Sequence, residues 1–239
     1  MNDRAAPASY LISPSYLAGP DERSTAVREI LLAAGWQTRR DGDKTIYLDP
    51  SGMREAWHWS PESGVPMDVT GRLLAGWEFA ASTAPGRDAV WVVRFAETTP
   101  PEIVAAFAAV LADDTRPDVR GIPAFLLVPT GNREEATAPL AEAGWIFERE
   151  EGGSGWLDPN GLAGVVIATD WQQDGVGRRW MFVARPAIGK PSLWSCVAWA
   201  TTPLSLVATL SRAIVDPTPV PRSALPGPDA GSITVIGPA

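Results

Sequence analysis

Ala34-Gly35-Trp36 and Leu48-Asp49-Pro50-Ser51-Gly52 both recur, in closely similar form, 109 residues later in the chain. Their counterparts are Ala143-Gly144-Trp145 and Leu157-Asp158-Pro159-Asn160-Gly161. Further matches follow at an offset of 103: Trp77 with Trp180, Trp91 with Trp194, and Thr98-Thr99-Pro100 with Thr201-Thr202-Pro203. The chain therefore reads as an internal duplication. Residues kept in both copies are expected to hold the fold, and residues present in one copy are candidates for function.

Both copies carry the same predicted order of elements: a short strand, a helix, a run of antiparallel strands and a closing helix. The sequence predicts an α+β fold of two homologous tandem domains related by a pseudo-twofold axis. Each domain is expected to be an antiparallel sheet of about five strands, with an N-terminal-side helix and a C-terminal helix on one sheet face. The predicted boundaries are 10–115 for the first repeat, 119–216 for the second and 217–239 for a Pro-rich tail.

Local patterns place the individual elements. Val27, Ile30, Leu31 and Ala34 share one face of a helix that Gly35 ends. Asp-Pro-x-Gly is the residue choice of a type I turn. Tyr16-Leu17-Ala18 and Phe125-Leu126-Leu127-Val128 are predicted as short strands, and Thr99 with Glu102 as the capping box of the last helix in the first copy. In the tail, Ser232 to Ile236 either adds a strand to a sheet edge or serves as a short binding motif.

Composition narrows the class of protein. The net charge is −8 and no run of Lys or Arg exceeds two, which disfavours non-specific nucleic-acid binding. A single cysteine, Cys196, excludes an internal disulfide and a multi-Cys metal site. The first twenty residues lack a signal-peptide pattern, and no stretch reaches the roughly 20 apolar residues of a membrane span. A cytoplasmic protein with no membrane association is expected.

The doubled pattern resembles a known family. Ser13-Pro14-Ser15-Tyr16-Leu17-Ala18-Gly19, Ala-Gly-Trp after a helix, and Thr-Thr-Pro before the last helix are similar to the actinomycete SPDY-motif domain of unknown function, which often occurs as a tandem pair. Ser15 stands where the motif name has Asp. The resemblance implies some association with plasmids and mobile elements, and it implies no catalytic residues.

Ten of the eleven tryptophans divide into two groups, and the eleventh, Trp156, matches an aromatic residue, Tyr47. Six occupy matched positions and are predicted to be core, because large aromatics at equivalent strand positions are most simply scaffold. Trp57 and Trp59, whose counterparts are Val166 and Ala168, are unmatched and share one sheet face. They either pack under a longer loop or form a ligand or partner surface. Trp171 and Trp199 are the unmatched tryptophans of the second copy.

The residue types and their spacing offer little support for a catalytic site. His58 is the only histidine and lies between the two unmatched tryptophans, facing the other way, as expected of a half-buried structural residue. Asp49 and Asp158 are explained as turn residues, and Cys196 as core. The Gly-rich stretch 151–155 lacks the Lys-Ser/Thr ending of a phosphate loop. No enzyme activity, metal or cofactor is predicted.

The predicted function is a non-catalytic interaction module with an unknown protein partner. The alternative is nucleic-acid binding through the sheet face, because Arg beside aromatics suits stacking on bases. Basic doublets occur at Arg39-Arg40 and Arg178-Arg179. The candidate binding residues are Trp57, Trp59, Trp171, Arg178 and Arg179.

Overall fold

A computed structural model describes residues 10–21, 25–59, 76–113, 123–126, 132–150, 153–168, 179–223 and 234–236. The fold is α+β, as the sequence predicts. Within these ranges, four α-helices accompany a ten-stranded and a three-stranded sheet, and every strand pair is antiparallel. In these same ranges, no helix has the length and apolar character needed to cross a membrane.

The large sheet contains five strands from each half of the chain. In chain order they are β2 (Gln37–Asp41), β3 (Lys44–Leu48), β4 (Arg54–Trp59), β5 (Trp77–Ser82), β6 (Ala89–Phe95), β7 (Ile146–Glu150), β8 (Gly153–Leu157), β9 (Ala163–Ala168), β10 (Arg179–Ala184) and β11 (Trp194–Trp199). Their order across the sheet is β2-β3-β4-β5-β6-β11-β10-β9-β8-β7. The two halves meet where β6 pairs with β11, with Arg94 opposite Val197.

The four helices are α1 (Ala26–Ala33), α2 (Pro101–Asp113), α3 (Arg133–Glu142) and α4 (Leu204–Val215). The predicted face of α1 is confirmed at Val27 and Leu31, which are buried, and at Ile30, which is half-buried against the core, but Ala34 is exposed at the C-cap. Gly35 at φ +81° follows α1, a left-handed conformation that costs glycine little. The predicted capping box is wrong, because α2 begins at Pro101 and the Glu102 carboxylate pairs with Arg222 instead.

One hydrophobic core lies between the helices and one face of the ten-stranded sheet. It includes residues of all four helices, for example Leu31, Phe107, Leu140 and Leu206. The matched tryptophans belong to this core as predicted: Trp36, Trp91, Trp145, Trp180 and Trp194 are buried, and half-buried Trp77 packs against the cluster. Burial of each such side chain is worth about 1.5–3 kcal/mol or more, so this continuous core couples both halves.

Hydrogen bonds also cross between the halves. Tyr16 lies in a 3₁₀ turn, Ser15–Leu17, and Phe125 in another, Ala124–Leu126, so the predicted strands are wrong at Tyr16-Leu17 and at Phe125-Leu126. Leu127 and Val128 of the second predicted strand lie outside the described residues. The Trp194 indole donates to the Tyr16 carbonyl over 2.7 Å, and the Trp91 indole donates to the Phe125 carbonyl over 2.6 Å. Because these carbonyls accept from indoles, a sheet ladder is not needed to satisfy them.

A second pair of bonds joins the halves near β6 and β11. The Thr98 hydroxyl donates to the Leu193 carbonyl and the Thr201 hydroxyl donates to the Val90 carbonyl, each over 2.6 Å. Both threonines precede a closing helix. In each half, the segment that leads into the last helix is therefore hydrogen-bonded to a backbone carbonyl of the other half.

The tail adds to the N-terminal segment and not to the large sheet. The three-stranded sheet has the order β12-β1-β13, with β1 at Tyr10–Ser13, β12 at Val220–Arg222 and β13 at Thr234–Ile236. Arg222 is buried and donates two bonds, of 2.7 and 2.8 Å, to Glu102 on α2. It also donates to the Ala18 and Gly19 carbonyls, so this one side chain links the tail, the N-terminal segment and α2.

Candidate functional site

No described element packs on the sheet face opposite the helices, which is named the outer face. Directly paired residues of a sheet point to the same side. Strand register therefore defines a row across all ten strands of the outer face: Arg39, Ile46, Trp57, Glu78, Arg94, Val197, Met181, Val166, Gly155 and Glu148. The neighbouring row, with Tyr47, Phe79 and Trp180, faces the helices and enters the core.

A tryptophan ridge, formed by Lys44, Ile46, Trp57 and Trp59, occupies β3 and β4 on the outer face. The Lys44 ammonium lies 5.6 Å from the Trp57 ring centre and 5.3 Å from that of Trp59. Contacts of this kind are worth about 0.5–1 kcal/mol at exposed sites and hold the two rings against the lysine. Both tryptophans are half-buried, and Ile46 beneath them is only 6% exposed.

A glycine hollow, lined on the outer face by Glu148, Gly153, Gly155, Leu157 and Val166, lies over β7, β8 and β9. Its volume is about 340 Å³. A Cβ at position 155 would lie 2.9 Å from the Val165 carbonyl oxygen, so the register leaves no room for a side chain there. Gly164, two residues along β9 from Val166, is covered by the Leu157 side chain, whose Cδ2 would lie 3.1 Å from a Cβ at position 164.

The ridge and the hollow occupy corresponding positions in the two halves. Lys44, Ile46 and Trp57 have Gly153, Gly155 and Val166 as counterparts at the 109-residue offset. The centre of the face between them is polar but paired, because Arg94 Nε lies 2.6 Å from Glu78 Oε2. The outer face thus has bulk on one side, a depression on the other and a neutralised centre.

The structure separates the predicted site residues. Trp57 and Trp59 share the outer face as predicted. Arg179 is on the same face but on β10, four strands from β4, or about 19 Å at ordinary strand spacing. Trp171 and Arg178 lie outside the described residues.

Sequence reasoning missed Lys44, Gly155 and Glu148 as parts of this face. They are found by comparing the two copies at every outer-face position of β3 and β8, as the tryptophans were compared. Lys44 opposite Gly153 and Ile46 opposite Gly155 are unmatched pairs of the same kind as Trp57 and Val166. Glu148 corresponds to Arg39, a reversal of charge.

The buried carboxylates of the two turns have structural partners. Asp49 accepts bonds from the Arg54 guanidinium over 2.9 Å, from Ser51 and from the Met53 and Arg54 backbone N–H groups. Burial alone would raise the pKa of Asp49, but these hydrogen bonds and the Arg54 charge hold it below its usual value. The Arg54 guanidinium lies 4.6 Å from the Phe125 ring centre, so the second half covers this ion pair.

In the second half the same position has a neutral partner. Asp158 accepts from the Tyr16 hydroxyl over 3.2 Å and from the backbone N–H groups of Asn160, Leu162 and Ala163. Burial, and then the Asp158 carboxylate, raise the pKa of Tyr16 far above its usual 10.0. Both aspartates are thus satisfied within the fold, in keeping with their reading as turn residues.

No group of three or more His, Cys, Asp and Glu side chains is placed to hold a metal within the part of the chain that the structure describes. Cys196 is fully buried, and burial raises the pKa of its thiol well above the usual 9.0, which opposes thiolate formation. His58 faces the helices, as the sequence predicts, with its ring centre 4.6 Å from that of Trp77.

The single histidine is expected to make the protein less stable in mild acid. Burial lowers the pKa of His58 below 6.5, so the folded state binds this proton less readily than the unfolded state. Stability is therefore full above pH 6.5 and is lost as the pH falls through 6.5 toward the folded-state value. Urea unfolding at a series of pH values should show this loss in wild type.

The control is His58→Ile, which installs the residue found at the counterpart Ile167. This variant should show a flatter profile between about pH 7.5 and 5.5, where histidine is the side chain that ordinarily titrates. Equal slopes for the two proteins would contradict the assignment to His58.

The fold is that of an α+β protein with helices on one face of a ten-stranded antiparallel sheet, and no described element packs on the other face. Residues 56–117, about a quarter of the chain, match the family model described as SPDY, domain of unknown function (DUF317). The match runs from β4 to just beyond α2, and so includes Trp57 and Trp59. No curated protein matches the chain, and no solved structure matches it.

Proposed function

We propose that this protein is a non-catalytic protein–protein interaction module whose binding surface is the outer face. The observation that carries the proposal is the tryptophan ridge. Trp57 and Trp59 occupy positions where Val166 and Ala168 suffice in the other half. Since the same sheet is built with small residues at those positions, the two indoles are not required by the fold, and their half-buried rings are available to a partner.

Charge pairing on the outer face favours a protein over a nucleic acid. Arg94 is paired with Glu78 at 2.6 Å and Lys44 with Asp41 at 3.5 Å. Phosphate recognition draws on clustered, unneutralised positive charge, and the net charge of −8 opposes it further. Protein interfaces in contrast are enriched in aromatic residues at the core, with charged residues around the rim.

We further propose that the fold is a duplicated unit, with residues 10–115 and 119–216 as its two diverged copies, both of the family that residues 56–117 match. The strand order supports this, because β2 to β6 run inward from one edge as β7 to β11 do from the other. The hydrogen bonds between the halves support it too. Trp194 bonds Tyr16 and Trp91 bonds Phe125, and Trp91 corresponds to Trp194 as Tyr16 corresponds to Phe125. A pseudo-twofold axis perpendicular to the sheet, between Arg94 and Val197, would relate the copies.

The actinomycete source, mobile-element association and cytoplasmic location expected from the sequence remain predictions.

The test is affinity capture from a lysate of the source cells with tagged wild type and the variant W57V/W59A, which installs the second-half residues. We expect proteins retained by wild type to be lost from the variant at least tenfold, because aromatic anchors dominate interface energies. The matched control is Ile188→Ala, which trims a side chain 74% exposed and distant in sequence from the ridge. Equal retention by wild type and W57V/W59A would refute the outer face as the binding surface.

Wild type and W57V/W59A also test the alternative proposal of nucleic-acid binding. Lys44 beside two indoles is the feature that favours it, because single-stranded binding combines cations with stacking rings. A gel shift with single- and double-stranded DNA that weakens with salt and is lost in W57V/W59A would replace the protein-partner proposal. We expect no shift even at low salt.

A further inference from the structure

We propose that the partner of the outer face is the same face of a second copy of this chain, with the tryptophan ridge of each copy seated in the glycine hollow of the other. The inference rests on the proposed function, since it names the occupant of the surface defined there. It follows from strand register, side-chain bulk and charge on the outer face.

The positions of ridge and hollow define the symmetry of the dimer. The ridge lies on β3 and β4, the second and third strands from one edge, and the hollow centres on β8 and β9, the second and third from the other. A twofold axis running parallel to the strands, between two stacked sheets, places β2 of one copy over β7 of the other. It therefore brings each ridge over the partner copy's hollow, in an isologous and closed contact.

Register then matches individual residues. Along the central row, Trp57 lies over Val166 and Ile46 over Gly155 of the second copy. Two residues along the same strands, and still on the outer face, Trp59 lies over Gly164. In this arrangement Trp57 meets the glycine-lined depression beside Val166, which is the complementarity that close packing requires. Ile46 lies beneath the indoles, whereas Gly164 is covered by the Leu157 side chain.

Charge at the sheet edges agrees with the same superposition. Arg39 on β2 and Glu148 on β7 terminate the central row at opposite ends, and both side chains are exposed. The twofold axis places Arg39 of each copy over Glu148 of the other. The alternative axis, across the strands, would place Arg39 over Arg39 and ridge over ridge, and is disfavoured by charge repulsion and by bulk.

The available area is sufficient for a stable complex. Ten strands about 4.8 Å apart, each contributing about six residues of about 3.3 Å, outline about 850 Å² per copy. Two such faces bury about 1,700 Å², within the range of about 1,200–2,000 Å² of standard specific interfaces. Interfaces of this size have dissociation constants from micromolar to picomolar.

Sedimentation velocity over micromolar concentrations tests the proposal. Wild type should sediment at twice the chain mass of 25.5 kDa. W57V/W59A should weaken dimerisation at least about 30-fold, because it removes the two aromatic anchors of the ridge. R39E and E148R should each weaken it about tenfold, and R39E/E148R should recover most of the wild-type affinity, since the reversed charges again meet across the interface.

The matched control is R40E, which makes the same charge change on the same strand but on the helix-side face, and should leave the dimer unchanged. Circular dichroism and the unfolding midpoint check that each variant is folded. A monomeric wild type, a W57V/W59A dimer as tight as wild type, or no recovery in R39E/E148R would overturn the inference. If wild type is monomeric but its captured proteins still depend on Trp57 and Trp59, only this inference fails. If capture is also independent of them, the proposed function fails as well.

Discussion

Replacing Asp49 with asparagine is expected to lower the free energy of unfolding by about 3–5 kcal/mol, since it leaves the buried Arg54 guanidinium without its counter-charge. Asp49 is 3% exposed and Arg54 4% exposed. Arg54 also donates to the Leu111 carbonyl at the end of α2, so the ion pair joins the sheet to that helix. Urea denaturation followed by circular dichroism measures the loss.

The second half supplies the matched control. Asp158→Asn removes a carboxylate from the same turn, but its side-chain partner Tyr16 is neutral, so the expected loss is only about 1–3 kcal/mol. Ala163 is the counterpart of Arg54, which makes Arg54→Ala the natural second substitution. A double-mutant cycle with D49N and R54A should give a coupling energy of about 0.5–3 kcal/mol. Equal losses in D49N and D158N, with no coupling, would contradict a stabilising role for the ion pair.

Replacing Trp194 with alanine is expected to cost about 3–5 kcal/mol and to destabilise the whole molecule. Trp194 is fully buried in the core shared by all four helices, and its indole holds the Tyr16 carbonyl of the other half. Because the core is continuous across β6 and β11, the chain should unfold in a single transition. Tryptophan fluorescence and far-ultraviolet circular dichroism should give the same midpoint for W194A.

Trp194→Phe separates packing from hydrogen bonding. It keeps a buried aromatic ring and removes the indole donor, so about 1–3 kcal/mol should be lost. Trp91→Phe is the equivalent change in the first half and should behave alike, because its indole holds the Phe125 carbonyl. Two separated transitions in W194A, with one half still folded, would show that the halves are independent domains.

Much of the local structure was predictable from the residues. The Asp-Pro-x-Gly turns form as expected, with the Gly52 N–H bonded to the Asp49 carbonyl and the Gly161 N–H bonded to the Asp158 carbonyl. Helix α1, five strands per half and the buried matched tryptophans were predictable for the same reason. Periodicity, turn chemistry and an internal repeat are properties of neighbouring residues and of their comparison within one chain.

The candidate site was predictable only in part. Trp57 and Trp59 were predicted to share one sheet face, which the strand register confirms, because alternate residues of one strand share a side; that this face binds a partner stays a prediction. The hollow was not recognised, since an unmatched glycine such as Gly155 draws less attention than an unmatched tryptophan. Arg179 was grouped with the tryptophans by residue type alone, and the sheet places it four strands away.

The residues alone were enough to predict the elements, their order and the shared face of Trp57 and Trp59, since these depend on residues close together in the chain. That ten strands form one sheet through the pairing of β6 with β11 depends on the folded chain as a whole. The same holds for the bonds that tie Tyr16 and Phe125 each to the other half, and for the placement of a ridge and a hollow at opposite ends of one row. These features join residues up to 178 positions apart. Such long-range contacts depend on how the whole chain packs, and no local sequence pattern specifies them.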